Sequence, residues 1–366
     1  MLYTCFIYFC GLVICLILMK LYSHTIKWGK IYIHKSSNND LLSLIMIGMP
    51  VFFILGNRYG IGSDYFNYER IYDNYILYKK SDMELGFKML MRLSHSIFGS
   101  FQGLVFITSF ITVILMVNWI LKEKTVQKAM MIYIMFCMFF ASWGNIIRQS
   151  IAMAIVVYSF RYIEERKVLK YVVIILVASL FHTSALILLP CYFFGRKRSD
   201  IITEKNVYSK TFFVKSLVIV IGLIITAALY LKLAVVMNLK FSGYLTSNEG
   251  GTTSYFIRFA ILLYIPEFVF LKNTIKNSQR YELYYLLVFS EMIFYLFGLK
   301  VTYGFRIAQY FSAAHIILIP GIINSINNNK EKKLVEFYFI VILLIQFIVL
   351  YIWFGYNGMM PYTSYR

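Results

Sequence analysis

The stretch FQGLVFITSFITVILMVNWIL, from Phe101 to Leu121, is 21 residues long and carries no charge. At a rise of about 1.5 Å per residue, a helix of this length crosses the roughly 30 Å hydrocarbon core of a bilayer. Comparable apolar runs recur along the whole chain, and they are continuous rather than alternating. We therefore predict membrane-spanning helices and exclude a β-barrel, whose strands alternate apolar and polar residues.

The composition of the 366-residue chain supports this interpretation, because 60% of the residues are hydrophobic, 14% are charged and the mean hydropathy is +0.69. Soluble domains rarely reach these values. We predict an all-α, polytopic integral membrane protein of about 10–12 transmembrane helices, which forms a single domain over residues 1–366. The candidate spans are 2–20, 41–57, 101–121, 129–144, 147–163, 212–236, 255–271, 282–299, 304–323 and 334–354.

The net charge of +19 is carried mainly by short loops between the apolar runs. Positive charge in short loops marks the cytoplasmic side of a membrane protein, so this charge predicts topology and no nucleic-acid partner. The loops 58–100 and 237–254 are then predicted to be extracytoplasmic. The predicted cytoplasmic segments, which hold 23 of the 36 lysines and arginines, are 20–40, 122–128, 161–170, 196–215, 272–280 and 330–333.

Segment 171–195 is apolar, yet strongly basic segments flank it on both sides. A single crossing would place one of those basic segments outside. Two arms of about eleven residues would each reach only about 17 Å, roughly half the bilayer. We predict a re-entrant or tightly bent hairpin here, with LFHTS (Leu180–Ser184) near its turn. The alternative is one tilted helix that violates the charge rule.

Four arginines on the predicted outer side lie within a turn or two of a helix end. Lysine is enough to fix topology, whereas arginine offers a planar fork of donors that suits phosphate oxygens. We predict that this set binds a lipid diphosphate, and the alternative for each member is snorkelling to the interface. The four are Arg58, Arg148, Arg258 and Arg306.

The stretch NRYGIGSDYFNYERIYDNY, from Asn57 to Tyr75, contains two glycines that allow a tight turn, followed by Asp64 among tyrosines. Tyrosine rings stack on sugars and acids bind sugar hydroxyls, so contact with a carbohydrate or a lipid headgroup is favoured over an interfacial aromatic belt. Apolar residues then recur at helical spacing and predict a helix along the outer interface. They are Leu85, Met89, Leu93 and Ile97.

His182 lies at the predicted bend, where it would be either a general base or a neutral imidazole bound to a backbone carbonyl. Glu267 and Glu291 are predicted inside the membrane, where an acid is costly and usually functional. They would pair with an arginine or tyrosine of the bundle or line a transport route. The chain has no DxD motif on the predicted outer side, no HExxH motif and no cluster at metal-ligand spacing, and we predict no metal and no cofactor.

Six motifs in a fixed order, from about residue 40 to the C-terminus, resemble the EpsG family of bacterial exopolysaccharide and capsule loci, which is related in role to Wzy-type polymerases. They are RYGIGSDYFNY (58–68), ELGFKMLMRL (84–93), NIIRQSIAMAI (145–155), LFHTSALILLP (180–190), YGFRIAQYF (303–311) and PYTSYR (361–366).

The resemblance implies an inverting, metal-independent glycosyl transfer at the outer face of the bacterial cytoplasmic membrane. The donor would be a growing glycan on a polyprenyl diphosphate, and the acceptor one repeat unit on the same lipid. A flippase and a chain-length regulator would be partners in the pathway, and the lipid bilayer would surround the protein. The alternatives are a transporter or flippase for a lipid-linked sugar, and a membrane O-acyltransferase or polymer ligase.

The family's motifs place candidate site residues on this chain. The catalytic candidates are Arg148, His182 and Asp64, with either His182 or Asp64 taking the acceptor proton. The residues predicted to bind substrate are Arg58, Gly62, Tyr65, Gln149, Arg258 and Arg306.

Overall fold

The computed structural model describes residues 1–27, 37–123, 127–195, 250–299 and 302–365, with a few isolated positions between 218 and 225. The predicted span 212–236 and most of the predicted loop 237–254 lie outside these ranges. The α-helices are α1 (Leu2–Lys27), α2 (Ser37–Gly56), α3 (Tyr65–Tyr78), α4 (Leu85–Phe98), α5 (Phe101–Lys122), α6 (Lys128–Asn145), α7 (Ile147–Glu164), α8 (Val168–Ser179), α9 (Gly250–Val269), α10 (Leu271–Asn277), α11 (Tyr281–Gly298), α12 (Thr302–Ser312), α13 (Ala314–Ser325) and α14 (Asn329–Phe347). Shorter helical turns are Thr183–Phe194 (3₁₀), Ile348–Trp353 (π) and Tyr356–Gly358 (3₁₀).

Three described helical stretches are long and apolar enough to cross a membrane, namely Leu2–Tyr22, Phe101–Lys122 and Asn329–Trp353. A fourth candidate is the pair Gly304–Ser312 and Ala314–Ser325, which is bent by 43°. The predicted span 304–323 is therefore broken rather than straight. The prediction of an all-α, polytopic membrane protein is confirmed, and the total of spans along the whole chain stays a prediction.

The described chain divides into two compact units. Unit 1 comprises Met1–Val157, Leu180–Thr183 and Leu343–Arg366, and unit 2 comprises Tyr158–Ser179 and Ser184–Ile342. Within unit 1, α2 packs against α1 and α5, and α6 packs against α1. Within unit 2, α11 packs against α12 and α13. Aromatic side chains pack together in the interiors of both units. Because lipid is itself apolar, such close packing, and not the hydrophobic effect, holds helices together in a membrane.

The predicted hairpin at 171–195 is confirmed as two short arms, α8 and the 3₁₀ helix Thr183–Phe194. The Tyr171 hydroxyl of one arm donates to the Leu188 carbonyl of the other, so the arms lie side by side. At their open end, Arg166 Nη1 donates to the carbonyls of Tyr192 and Gly195, each at 2.9 Å. Twelve residues per arm are too few for a full crossing at about 1.5–2 Å per residue. The alternative of one tilted helix is therefore wrong.

The predicted outer loop 58–100 contains two helices, α3 and α4, which pack against α5. Four of the five tyrosines of α3 recur every three or four residues on one face of the helix, whereas Tyr78, its last residue, is exposed. That face is buried against Phe87, Met91 and other residues of α4 and α5. The buried tyrosines are Tyr65, Tyr68, Tyr72 and Tyr75.

Helix α4 has one buried and one exposed face. Gly86, Phe87 and Met91 are buried, and the opposite face is apolar as well. The residues that spacing predicted for an interfacial helix are all exposed, in agreement with a helix that lies flat in the membrane surface. They are Leu85, Met89, Leu93 and Ile97.

Candidate functional site

Arg148 is the second residue of α7, directly after a one-residue break at Ile146 that ends α6. Its guanidinium Cζ lies 5.8 Å from the ring centre of Tyr68 and 5.9 Å from that of Phe87. Nε donates to the Tyr68 hydroxyl at 3.4 Å, and Nη1 donates to Glu84. In the part of the chain that the structure describes, Nη2 has no hydrogen-bond partner, so one arm of the fork remains free to donate.

Glu84 stands at the N-cap position of α4, but its side chain does not cap that helix. One carboxylate oxygen accepts from Arg148 Nη1 at 2.5 Å, and the other accepts from the backbone N–H of Thr183 at 3.1 Å. The pair is largely buried, with 14% of the arginine side chain and 8% of the glutamate side chain exposed. One carboxylate thus connects α7 to the turn of the hairpin.

Gly86 brings the start of α4 against that same turn. Its backbone N–H donates to the Leu180 carbonyl at 2.8 Å. A Cβ atom at this position would lie 2.8 Å from the same carbonyl oxygen, which is closer than real Cβ contacts allow. The glycine of ELGF is therefore required for the hairpin turn to approach Glu84. His182, within the turn, is buried.

The glycine loop before α3 is fixed by the end of α6 and by the C-terminal segment. Asn145 Oδ1 accepts from the backbone N–H of Asp64 at 2.8 Å, and Asn145 Nδ2 donates to Asn357 Oδ1 at 3.2 Å. The backbone N–H of Gly62 donates to the Gly358 carbonyl at 2.9 Å. These bonds tie the backbone of Asp64, whose side chain is half-buried, to Asn145, which stands three residues before Arg148 in the chain.

The C-terminal motif pairs with the segment that begins the loop. The backbone N–H of Tyr59 donates to the Thr363 carbonyl at 2.9 Å, and that of Tyr365 donates to the Asn57 carbonyl at 2.7 Å. Arg58 and Ser364 form an isolated antiparallel bridge between these bonds. The first and last motifs of the sequence are therefore neighbours in unit 1.

Gly62 is the position where we expect substitution to alanine to be most disruptive to this loop. Its φ is +103°, and a Cβ would lie 2.5 Å from the Gly144 carbonyl oxygen. Left-handed backbone alone costs about 1–2 kcal/mol for a residue with a Cβ, and the clash adds to it. Gly62→Ala should therefore lower the apparent melting temperature of the purified protein. The matched control is Gly99→Ala, which has a positive φ but open space around its Cβ; equal losses in both variants would contradict the clash.

Arg58 and Tyr65 are placed differently from what a ligand-binding role predicts. Arg58 is 1% exposed, and its Nη1 donates to the Leu55 carbonyl and to Ser109 Oγ. Burial lowers the pKa of Arg58 to about 10. Burial raises the pKa of Tyr65 to about 12, and its protonated hydroxyl donates to Gln102 Oε1 at 3.0 Å. Both side chains brace the loop from inside, and neither presents its polar end to solvent.

The remaining predicted residues divide between the two units. Gln149, next to Arg148, is buried in unit 1. In unit 2, Arg258 is exposed on α9 and Arg306 is partly buried on α12. Also in unit 2, the hydroxyls of Ser184 and Tyr310 are 3.0 Å apart, which joins the motif after the hairpin turn to the motif of α12.

Three residues of the site, Glu84, Tyr68 and Asn145, are not among those that the sequence predicts. The apolar spacing that follows Glu84 predicts only an interfacial helix. The sequence does contain a signal for Glu84, because it is an acid at the start of a helix in a motif that also contains a glycine. An acid at that position normally accepts from the helix's own N–H groups. Tyr68 and Asn145 lie inside two of the six motifs, but residue spacing alone does not distinguish them from their neighbours as site residues.

These features define a multi-pass, all-α membrane protein in which a largely buried arginine, an acid and the turn of a bent hairpin meet near a glycine loop. The EpsG family model matches residues 41–364. The chain therefore belongs to the EpsG family, and the resemblance carried by its six motifs is confirmed. A search of curated proteins found no match, and neither did a search of solved structures. Membership supports a membrane protein of polysaccharide biosynthesis.

Proposed function

We propose that the protein is a repeat-unit polymerase of a bacterial surface polysaccharide. It transfers a growing glycan from polyprenyl diphosphate onto a lipid-linked repeat unit at the outer face of the cytoplasmic membrane. The observation that carries the proposal is the Arg148–Glu84 pair. It draws three of the family motifs together around a cation that keeps one donor arm free.

The leaving group explains why an arginine is needed. When the acceptor hydroxyl attacks the anomeric carbon, the bond to the diphosphate breaks and negative charge develops on its oxygens. A guanidinium can bind two such oxygens with fixed geometry. A hydrogen bond that strengthens as negative charge develops lowers the barrier to glycosyl transfer. Arg148 also lies in the first turn of α7, where the helix dipole favours an anion.

Glu84 gives the arginine its orientation before substrate arrives. Its carboxylate occupies Nη1, while the rings of Tyr68 and Phe87 flank the guanidinium. Nη2 is left for the diphosphate. Burial of an arginine without a counter-charge would destabilise the fold, and the carboxylate of Glu84 offsets that free-energy cost. We propose Glu84 as a positioning residue for Arg148.

The proton of the acceptor hydroxyl has two candidate recipients. Asp64 is half-buried, and the hydrogen bond from its backbone N–H to Asn145 Oδ1 fixes its backbone near the start of α7. His182 is buried and precedes Thr183, whose N–H binds Glu84. The partial exposure of Asp64 favours it, because a base must reach the substrate. We propose Asp64 as the base and His182 as a residue of the turn.

The other predicted residues receive supporting roles in this proposal. Gly62 shapes the loop that carries Asp64, while Arg58 and Tyr65 brace it. Arg258 and Arg306 are proposed to bind the glycan or the second diphosphate, and Gln149 to support the first turn of α7. The proposed transfer is inverting. It needs no metal, because the arginines supply the positive charge that stabilises the leaving diphosphate. A flippase and a chain-length regulator are the proposed pathway partners.

A deletion strain provides the experiment that tests the proposal. Loss of the protein should leave lipid-linked glycan one repeat unit long, exposed at the outer leaflet of spheroplasts to a membrane-impermeant label. Complementation with the full chain should restore long polymer. Accumulation at the inner leaflet would instead indicate a flippase. Long polymer that lacks only acetyl groups or attachment would indicate an acyltransferase or a ligase.

A further inference from the structure

Unit 2 contains a sealed cluster of three titratable side chains from three helices. Glu267 lies on α9, Glu291 on α11 and His315 on α13. His315 Nδ1 is 2.6 Å from Glu267 Oε1, and its Nε2 is 2.6 Å from Glu291 Oε2. The three side chains are at most 1% exposed. The sequence predicts arginine or tyrosine partners for these acids. A tyrosine, Tyr264, does donate to Glu291, and the partner that both acids share is His315.

The two carboxylates are not equivalent. Glu291 accepts from the Tyr264 hydroxyl at 3.1 Å and from Ser312 Oγ, in addition to His315. Glu267 binds His315 through Oε1, while its Oε2 is buried without a hydrogen-bond partner in the part of the chain that the structure describes. Three donors suit an ionised carboxylate, and an oxygen without a donor suits a neutral acid. The surroundings therefore assign the negative charge to Glu291.

Few other charges reach the cluster. Its titratable neighbours are tyrosines: Tyr264 stacks on the His315 ring, Tyr285 donates to the Glu267 backbone carbonyl, and Tyr295 lies near Tyr264. Within the described ranges, no lysine or arginine forms an ion pair with either acid. A fully deprotonated cluster would therefore carry two negative charges with no cation beside them among the described residues, so at least one proton is shared among these three buried side chains. The oxygen of Glu267 that lacks a donor indicates where that proton lies.

We propose that Glu267 carries a proton in the folded protein, which makes the cluster a buried proton-binding site in unit 2. The acid donates from Oε1 to Nδ1 of a neutral imidazole, whose Nε2–H donates to ionised Glu291. Every hydrogen bond then has one hydrogen, and Oε2 is an uncharged carbonyl oxygen. A metal cation fits poorly, because hard cations need several oxygen ligands and Oε2 offers one. The inference is independent of the proposed polymerase activity.

Infrared spectroscopy of the full-length protein in lipid nanodiscs at neutral pH tests the assignment directly. A protonated carboxyl band that shifts in D₂O is expected, and Glu267→Gln should remove it. The matched control is Glu331→Gln, which changes an exposed acid at the start of α14 and should retain the band. Absence of the band from the unaltered protein, or its survival in Glu267→Gln, would overturn the proposal.

Two neutralising variants give a second readout that does not need the band. The amide introduced by Glu267→Gln replaces a neutral acid with the same shape, so the apparent melting temperature should stay close to that of the unaltered protein. Glu291→Gln removes the ionised acceptor of three donors and should lower it by several degrees. A larger loss for Glu267→Gln than for Glu291→Gln would show that Glu267 is ionised. Stabilisation by sodium but not by choline chloride would show a bound cation in place of the proton.

Discussion

Arg148→Lys should leave the protein in the membrane at normal levels and reduce polymerisation by about 10²–10³-fold, the usual effect of removing one donor that stabilises developing charge. Lysine keeps a positive charge beside Glu84, so the fold should persist. It loses the second arm of the fork, and the diphosphate then has no donor equivalent to Nη2. Gel analysis of lipid-linked glycan in a complemented deletion strain should show single repeat units.

Arg70→Lys is the matched control for this substitution. Arg70 lies on the exposed side of α3, on the same predicted side of the membrane and in the same loop as the candidate site. Its replacement should leave polymer length unchanged. If Arg148→Lys gave normal chain lengths as well, Arg148 would bind no group whose charge changes during the reaction.

Glu84→Gln should impair both stability and polymerisation. Breaking a largely buried ion pair by removing one partner costs about 3–5 kcal/mol, because the other charge is left without compensation. The pair here keeps some exposure on the arginine side, which places the expected loss near the lower end. The apparent melting temperature in detergent should fall, and polymer length should shorten because the guanidinium is no longer oriented.

A double variant separates the two effects of Glu84. Replacing Arg148 with methionine in the Glu84→Gln background removes the buried charge, and stability should return while polymerisation stays absent. Asp73→Asn, on the exposed side of α3, is the control for loss of an acid in the same loop. Full activity of Glu84→Gln would contradict the positioning role, whatever its stability.

Local properties of the sequence determined the class of protein and much of its layout. The apolar run Phe101–Leu121 forms most of α5, because hydropathy over one helix length does not depend on distant residues. The hairpin at 171–195 was predictable for a similar reason: charge flanked a segment too short for two crossings. The exposed stripe of α4 followed from helical spacing alone.

Tertiary structure decided which side chains meet. Arg148 was recognised as a candidate from its setting, but Glu84 is 64 residues away in sequence, and nothing local indicates that they pair. The sequence predicts that the tyrosines of α3 contact a sugar, but packing against α4 and α5 turns four of the five inward. His315 likewise joins acids that are 48 and 24 residues away. Periodicity fixes which residues share a helix face, whereas only the packing of helices fixes what that face touches.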